Sequence, residues 1–360
     1  MSEQPPGREA LLEVRDLRVT FDTREGQVRA VDGVDFELRK GQVLAIVGES
    51  GSGKSVTALS ILRLLRDRNV ETTGQIFYQG KDLVELPESE LRRLRGAEIA
   101  MIFQDPLTSL NPLQRIGQQI VEMLRIHRKI SRAEARGKAV KLLEEVGIPR
   151  ASERARDYPH EFSGGMRQRA MIALAMACDP NILIADEATT ALDVTIQAQV
   201  LDLIKREKED RGAAVILITH DLGIVADIAD WVAVMYAGRI VEYASRDELF
   251  YAPRHPYTWG LLASVPRVDR PRSRRMKPID GMPPSPADLP TGCRFRPRCA
   301  HAFDKCEAAP ELKGADGDSL HLDACWLEPK EKRERAPIEA DADADAHAHA
   351  HAHAHADGVS

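Results

Sequence analysis

Eight residues, GESGSGKS from Gly48 to Ser55, have the types and spacing needed to hold a polyphosphate. They match G-x-x-x-x-G-K-S, where Gly48, Gly51 and Gly53 let backbone N–H groups curl around an anion. Glu49, Ser50 and Ser52 fill the variable positions. Lys54 is expected to reach the β- and γ-phosphates, and Ser55 to ligate Mg²⁺. Two carboxylates, Asp186 and Glu187, follow the apolar run Ile182–Ala185. In open α/β sheets ligands bind at the carboxyl ends of such strands. Asp186 suits the Mg²⁺ shell, directly or through water. Glu187, one residue on, suits polarising an attacking water.

A third set of chemically capable residues lies far downstream. Cys293, Cys299, Cys306 and Cys325 are four potential thiolates in a loop-rich stretch. Four thiolates suit a [4Fe–4S] cluster or a structural zinc. Zinc knuckles favour cysteines two to four residues apart. Here the first three are separated by five and six residues, a wider ring of ligands that favours iron–sulfur over zinc or simple buried cysteines. Cys178 has apolar neighbours and reads as a packed helix residue. Near the end, His347, His349, His351, His353 and His355 alternate with alanine. An extended chain would line them on one side as weak Ni²⁺ or Zn²⁺ ligands, while the composition alone reads as a low-complexity tail.

Positioning these groups requires a regular frame. The runs Leu11–Phe21, Val28–Leu38 and Val43–Val47 predict strands, the last short and apolar enough to be buried on both faces. A helix is expected from about Ser55 to Leu65, aiming its positive end at the phosphates. Strands are expected at Gln75–Tyr78 and Ile99–Phe103, then a helical stretch from about Gln114 to Arg156. Within it, Ser131 and Glu134 fit a capping box, and Gly147 ends the helix they start. Helix, strand, helix and strand then follow at Gly165–Cys178, Ile182–Ala185, Ile196–Lys208 and Ala214–Ile218. Two short strands, Trp231–Tyr236 and Arg239–Tyr243, flank a turn at Ala237-Gly238. This alternation implies a largely parallel sheet.

Composition narrows the class. With 43% hydrophobic and 29% charged residues, the chain is expected to be globular. A net charge of −6 gives no nucleic-acid footprint. No apolar run is long enough to span a bilayer, and the first ten residues lack the pattern of a secretory signal, so a cytoplasmic location is expected. In that reducing setting five cysteines point away from disulfides.

A further motif names a family. Phe162-Ser163-Gly164-Gly165-Met166-Arg167-Gln168-Arg169 resembles the signature of ATP-binding-cassette (ABC) ATPases, usually LSGGQ-x-x-R. Leu is replaced by Phe162 and Gln by Met166, but Ser163, Gly164 and Gly165 at a helix start keep the main anion contacts. Other landmarks stand in order: Gln104 resembles the Q-loop glutamine, Ala191-Leu192-Asp193 the D-loop, His220 the switch histidine and Phe21 the aromatic that stacks on adenine. The resemblance covers roughly residues 11–265.

It implies a P-loop NTPase fold, with a RecA-like core, an antiparallel β subdomain and an inserted helical subdomain at about 105–165. Around this core are expected a flexible N-terminus (1–10), a cysteine-containing extension (266–330) and a disordered His/Asp/Ala tail (331–360). It further implies that ATP with Mg²⁺, held by Ser55, Gln104 and Asp186, lies between the phosphate loop of one cassette and Ser163–Met166 of another. Glu187 and His220 would then position water, and Gln104 would sense nucleotide. FDTREGQVRAVDGVDFEL, IFQDPLTSLNP and YAPRHPYTWGLLASVPR resemble the ATPases of dipeptide, oligopeptide and nickel importers. Those are associated with a [4Fe–4S] cluster in the cysteine segment. Expected partners are a second homologous ATPase, two membrane permeases and an extracytoplasmic binding protein, at the cytoplasmic face of the inner membrane. Nickel is the rival cargo. A soluble ABC ATPase is the rival class, although neither a second cassette nor a coiled-coil insertion is present to support it.

Overall fold

The computed structural model describes residues 10–24, 26–65, 67–187, 194–264, 279–314 and 320–336. The Asp193 position, the Pro-rich stretch before Ile279 and the histidine repeat lie outside them.

The chain opens with β1 (Leu12–Thr23), β2 (Gly26–Leu38) and β3 (Val43–Val47), then α1 (Lys54–Ile61). β4 (Val70–Tyr78), β5 (Lys81–Asp82), α2 (Glu88–Leu94) and β6 (Ile99–Ile102) follow. A helical run contains α3 (Pro106–Ser109), α4 (Ile116–His127), α5 (Arg132–Glu145), α6 (Ala151–Arg154) and α7 (Gly164–Met176). The α/β rhythm resumes with β7 (Ile182–Asp186), α8 (Val194–Arg211), β8 (Ala214–Ile218), α9 (Leu222–Ile228), β9 (Trp231–Tyr236) and β10 (Arg239–Ser245). The last elements are α10 (Arg246–Tyr251), α11 (Pro256–Ala263), β11 (Lys313–Gly314), β12 (Leu322–Asp323) and α12 (Pro329–Arg335).

Two sheets form. One is antiparallel, in the order β2-β1-β4-β5; the other runs β11-β12-β10-β9-β3-β8-β7-β6. In the second, β9, β3, β8, β7 and β6 are mutually parallel, and β10 and β12 add antiparallel to one side. β3, β7 and β8 are buried at every residue, because apolar layers cover both faces. Their alternate side chains divide accordingly. Val43, Leu183 and Val215 join α4, α5, α7 and α8, whereas Ile46, Ile184 and Ile216 face the antiparallel sheet and α1. Val47, Val232 and Val234 pack with Tyr257 and Phe295.

Local signals explain most ends. Ser131 caps α5, its hydroxyl accepting from the Glu134 N–H at 3.2 Å. Gly147 takes φ +74°, and its N–H closes on Glu144 at 2.9 Å. Ala237 and Gly238 both have positive φ, the geometry of a two-residue hairpin turn. The helix expected to reach Leu65 stops at Ile61 instead. Arg63 turns left-handed there, and its guanidinium donates to the carbonyls of Leu83 and Leu86 at 3.2 and 2.6 Å.

The cysteine extension is more integrated than a loop-rich wrap. β12 pairs with β10, so it continues the main sheet. Fully buried Glu242 of β10 accepts from the N–H groups of Arg254 and His255 at 2.6 and 3.0 Å and lies 2.7 Å from His321 Nε2. The expected tail boundary at residue 331 is also corrected. α12 runs through it because Lys332 is buried, with its ammonium 2.6 Å from Asp323.

Candidate active site

Parallel pairing puts the ends of four neighbouring strands on one edge. β3 leads into Gly48–Ser55, β8 ends two residues before His220, β7 ends at Asp186, and β6 ends two residues before Gln104. Groups distant in sequence therefore converge there, at the edge where α/β sheets bind ligands.

The phosphate loop is locked from behind. A Cβ on Gly48, at φ +151°, would come within 2.2 Å of the Met235 carbonyl oxygen; one on Gly53, at φ +102°, within 2.4 Å of that of Ala30. Only glycine fits either position. Gly238 N–H donates to the Ser52 carbonyl at 2.9 Å, so the β9–β10 turn also braces the loop. Lys54, only 6% exposed, donates to the carbonyls of Gly48 and Glu49, each at 2.9 Å. Burial pulls its pKa down, while nearby Glu187, Asp186 and Glu49 oppose that shift. Ser50 and Gly51 lie on the loop itself, and Ser52 Oγ is 3.5 Å from Lys54 Nζ.

Ser55 Oγ lies 3.0 Å from Asp186 Oδ1. Burial raises the Asp186 pKa, partly offset by that hydrogen bond and by Lys54. A buried carboxylate beside a hydroxyl on a polyphosphate loop is an oxygen set that fits Mg²⁺. Glu187 accepts from Gln104 Nε2 at 2.6 Å and lies 3.5 Å from His220 Nδ1. Its backbone has φ +46°, unusual for a non-glycine residue and the kind of strain found where a side chain must be aimed. Asp221 caps α9, accepting from Gly223 N–H at 2.9 Å, so the chain turns sharply after His220.

Phe21 sits on β1, partly buried against the core between the two sheets. Ser163 caps α7, its hydroxyl accepting from Met166 N–H at 3.3 Å. Phe162 is buried, whereas Gly164 and Gly165 face open space: a Cβ on either would meet nothing within 4 Å. Among the described residues, packing requires neither glycine.

Cys293, Cys299, Cys306 and Cys325 line one small cavity with Phe295, Phe303 and Trp326. Burial raises the pKa of Cys293 and Cys299 and pushes Cys325 up to about 12. All the cysteines are free thiols. Among the described residues no three His, Cys, Asp or Glu side chains close in as a cage for a single metal ion. Cys178 is buried in the helical core, as its neighbours imply.

Sequence reasoning missed three groups behind the phosphate loop. Arg298 forms a two-pronged ion pair with Glu49, at 2.6 and 3.0 Å. Tyr257 Oη accepts from the Glu49 N–H at 2.8 Å. Arg294 contacts Asp32 and the Ala237 carbonyl. The available signal was the run CRFRPRC, which sets arginines directly beside Cys293 and Cys299.

A phosphate loop, an acidic strand end and a histidine on adjacent parallel strands, beside a helical layer headed by Ser-Gly-Gly, define an ABC-type ATPase that uses ATP with Mg²⁺. The family described as ABC transporter matches residues 31–190, and that described as oligopeptide/dipeptide transporter, C-terminal region, matches 241–306. The oligopeptide transport ATP-binding protein OppD of Salmonella typhimurium is 52% identical over 330 residues, covering 92% of this chain and 97% of that protein. The dipeptide transport ATP-binding protein DppD of Bacillus subtilis is 50% identical over 321 residues, covering 89% and 95%. Among solved structures, a dimeric ATP-binding cassette bound to ADP and Pi superposes with a TM-score of 0.60 at 25% identity, covering 65% of this chain and 98% of that one. The chain belongs to the family of ATP-binding subunits of oligopeptide and dipeptide ABC transporters.

Proposed function

We propose that this chain is the ATP-hydrolysing motor of a peptide importer, bound to membrane permeases at the cytoplasmic face of the inner membrane. No helix among the described residues is long and apolar enough to cross a membrane. A motor needs permeases to act on, and the relatives' names supply the cargo class. By the same reading an extracytoplasmic protein delivers peptide, and the partner cassette is a second, homologous ATPase. Residues 11–265 act as the ATPase domain, with 105–165 as its helical subdomain and the segment that follows, through α12, as its extension.

The convergence of Glu187, Gln104 and His220 beside Lys54 carries the proposal. Lys54 and the loop N–H groups bind the β- and γ-phosphates. Phe21 stacks on adenine. Ser55 and Asp186, with Gln104, would hold Mg²⁺, which would supply charge neutralisation on the phosphates. Glu187 orients and polarises the attacking water, and His220 stabilises charge gathering on the γ-phosphoryl oxygens. Ser163, Gly164, Gly165 and Met166 present the start of α7 to ATP held by the partner cassette. The open space around both glycines supports that reading, since their small size matters only to something approaching from outside.

The four thiols around one cavity are read as ligands of a [4Fe–4S] cluster. Soft thiolates fit iron–sulfur and zinc alike. The cluster's role is structural.

The motor role is tested with Glu187→Gln. This variant should bind Mg-ATP normally yet release phosphate at least about 100-fold more slowly, the scale expected for loss of a general base. Near-normal turnover would remove Glu187 from the role.

A further inference from the structure

The cysteine segment and the phosphate loop are mechanically joined. Arg298, one residue before Cys299, has a side chain only 4% exposed. Its guanidinium straddles Glu49, the second residue of the loop, with Nη1 to Oε2 at 2.6 Å and Nη2 to Oε1 at 3.0 Å. The back of the same guanidinium is held by the carbonyls of Asp280 and Ile279, at 3.0 and 3.3 Å, and by Tyr236 Oη at 3.3 Å. Arg294, one residue after Cys293, grips Asp32 and the Ala237 carbonyl. Asp32 N–H donates to Gly238, whose own N–H donates to Ser52 of the loop. Arg294 and Arg298 thus reach the floor of the nucleotide site by separate routes.

The charge arrangement gives the contact a purpose. Glu49 is the second residue of the phosphate loop and its carbonyl accepts from Lys54 Nζ at 2.9 Å, so its carboxylate belongs to the segment on which phosphates must bind. An unpaired carboxylate there would repel a polyanion. A planar two-pronged fork cancels that charge and fixes the loop's direction at once. Tyr257 Oη holds the Glu49 N–H at 2.8 Å, completing the clamp.

We propose that Arg298 is a positioning residue for nucleotide: it neutralises and orients Glu49, so that ATP affinity depends on the Cys293–Cys299 loop being in place. The inference rests on the phosphate-loop reading above. It names a route by which the extension acts on the ATP site without touching nucleotide itself.

The test is equilibrium binding of Mg-ADP to the full chain, followed with a fluorescent analogue. Arg298→Ala should bind about tenfold more weakly, as expected for loss of charge-assisted hydrogen bonds and a stranded carboxylate. Arg298→Lys keeps the charge but not the fork and should fall between the two. Arg298→Ala with Glu49→Gln should recover to within about threefold of the parent, because the stranded charge is gone. The double variant also lacks the arginine, so its recovery excludes simple collapse of the extension. Parent-like binding by Arg298→Ala, or no recovery in the double variant, overturns the proposal. If the parent chain itself fails to bind Mg-ADP, the ATP-site reading falls instead, and the two failures are thereby distinguishable.

Discussion

At the residue scale, the two sites solve opposite electrostatic problems. Around Lys54 the protein concentrates charge, burying an ammonium beside Asp186, Glu187 and Glu49 where phosphates and Mg²⁺ redistribute it. Around the cysteines burial favours the neutral thiol, with Phe295, Phe303 and Trp326 among the groups lining their cavity. A thiolate in such surroundings is costly unless a metal shares the charge. On the iron–sulfur reading proposed above, protein purified anaerobically should carry about four irons with matching sulfide per chain and a brown colour. Cys299→Ser and Cys306→Ser should each lose most of that iron. A colourless, zinc-loaded sample would replace the cluster with zinc.

At the element scale, strand pairing, the Arg294 and Arg298 contacts and a buried Lys332–Asp323 ion pair hold the extension. β12 contributes only Leu322 and Asp323 to the sheet edge, too little backbone pairing to hold alone. Lys332 from α12 pins it, with both side chains of the Lys332–Asp323 pair almost fully buried. Removing one partner of such a pair strands a charge and typically costs about 3–5 kcal/mol. Lys332→Ala should therefore raise amide exchange in β11, β12 and α12 while leaving β3, β7 and β8 protected. Lys332→Met with Asp323→Leu should restore much of the protection, since an apolar pair strands nothing. Uniform exchange across all these strands in Lys332→Ala would show that the pair does not pin the extension. This anchoring was hidden in the sequence because a Lys and an Asp nine residues apart carry no signal of burial. By contrast, the Ser131 cap and the Ala237-Gly238 turn were legible, since each depends on neighbours within four residues.

At the scale of the whole molecule, one chain carries two candidate anion-binding features on different elements: the loop before α1 and the start of α7. α7 packs its buried face into the helical core, and its Ser163 oxygen accepts from Met166 N–H while the O–H remains a donor. Gly164→Asp tests whether that helix start serves a second cassette. A carboxylate in the first helical turn complements the helix dipole, so the thermal midpoint should hold. The same carboxylate would repel a γ-phosphate, so Mg-ATP-dependent association with the second cassette should be lost in light scattering. Unchanged association would remove the start of α7 from the interface. By itself, the amino-acid sequence determined the phosphate loop, the acidic strand end, the order of motifs and the strands that carry them. Those features are local, written in glycine spacing, apolar runs and caps. Only tertiary structure decided that Gln104 and His220 both meet Glu187, that four spread cysteines share one cavity, and that Arg298 clamps Glu49. Each of these joins residues brought together by strand order and packing, and distance along the chain says nothing about distance in space once a sheet interleaves its strands.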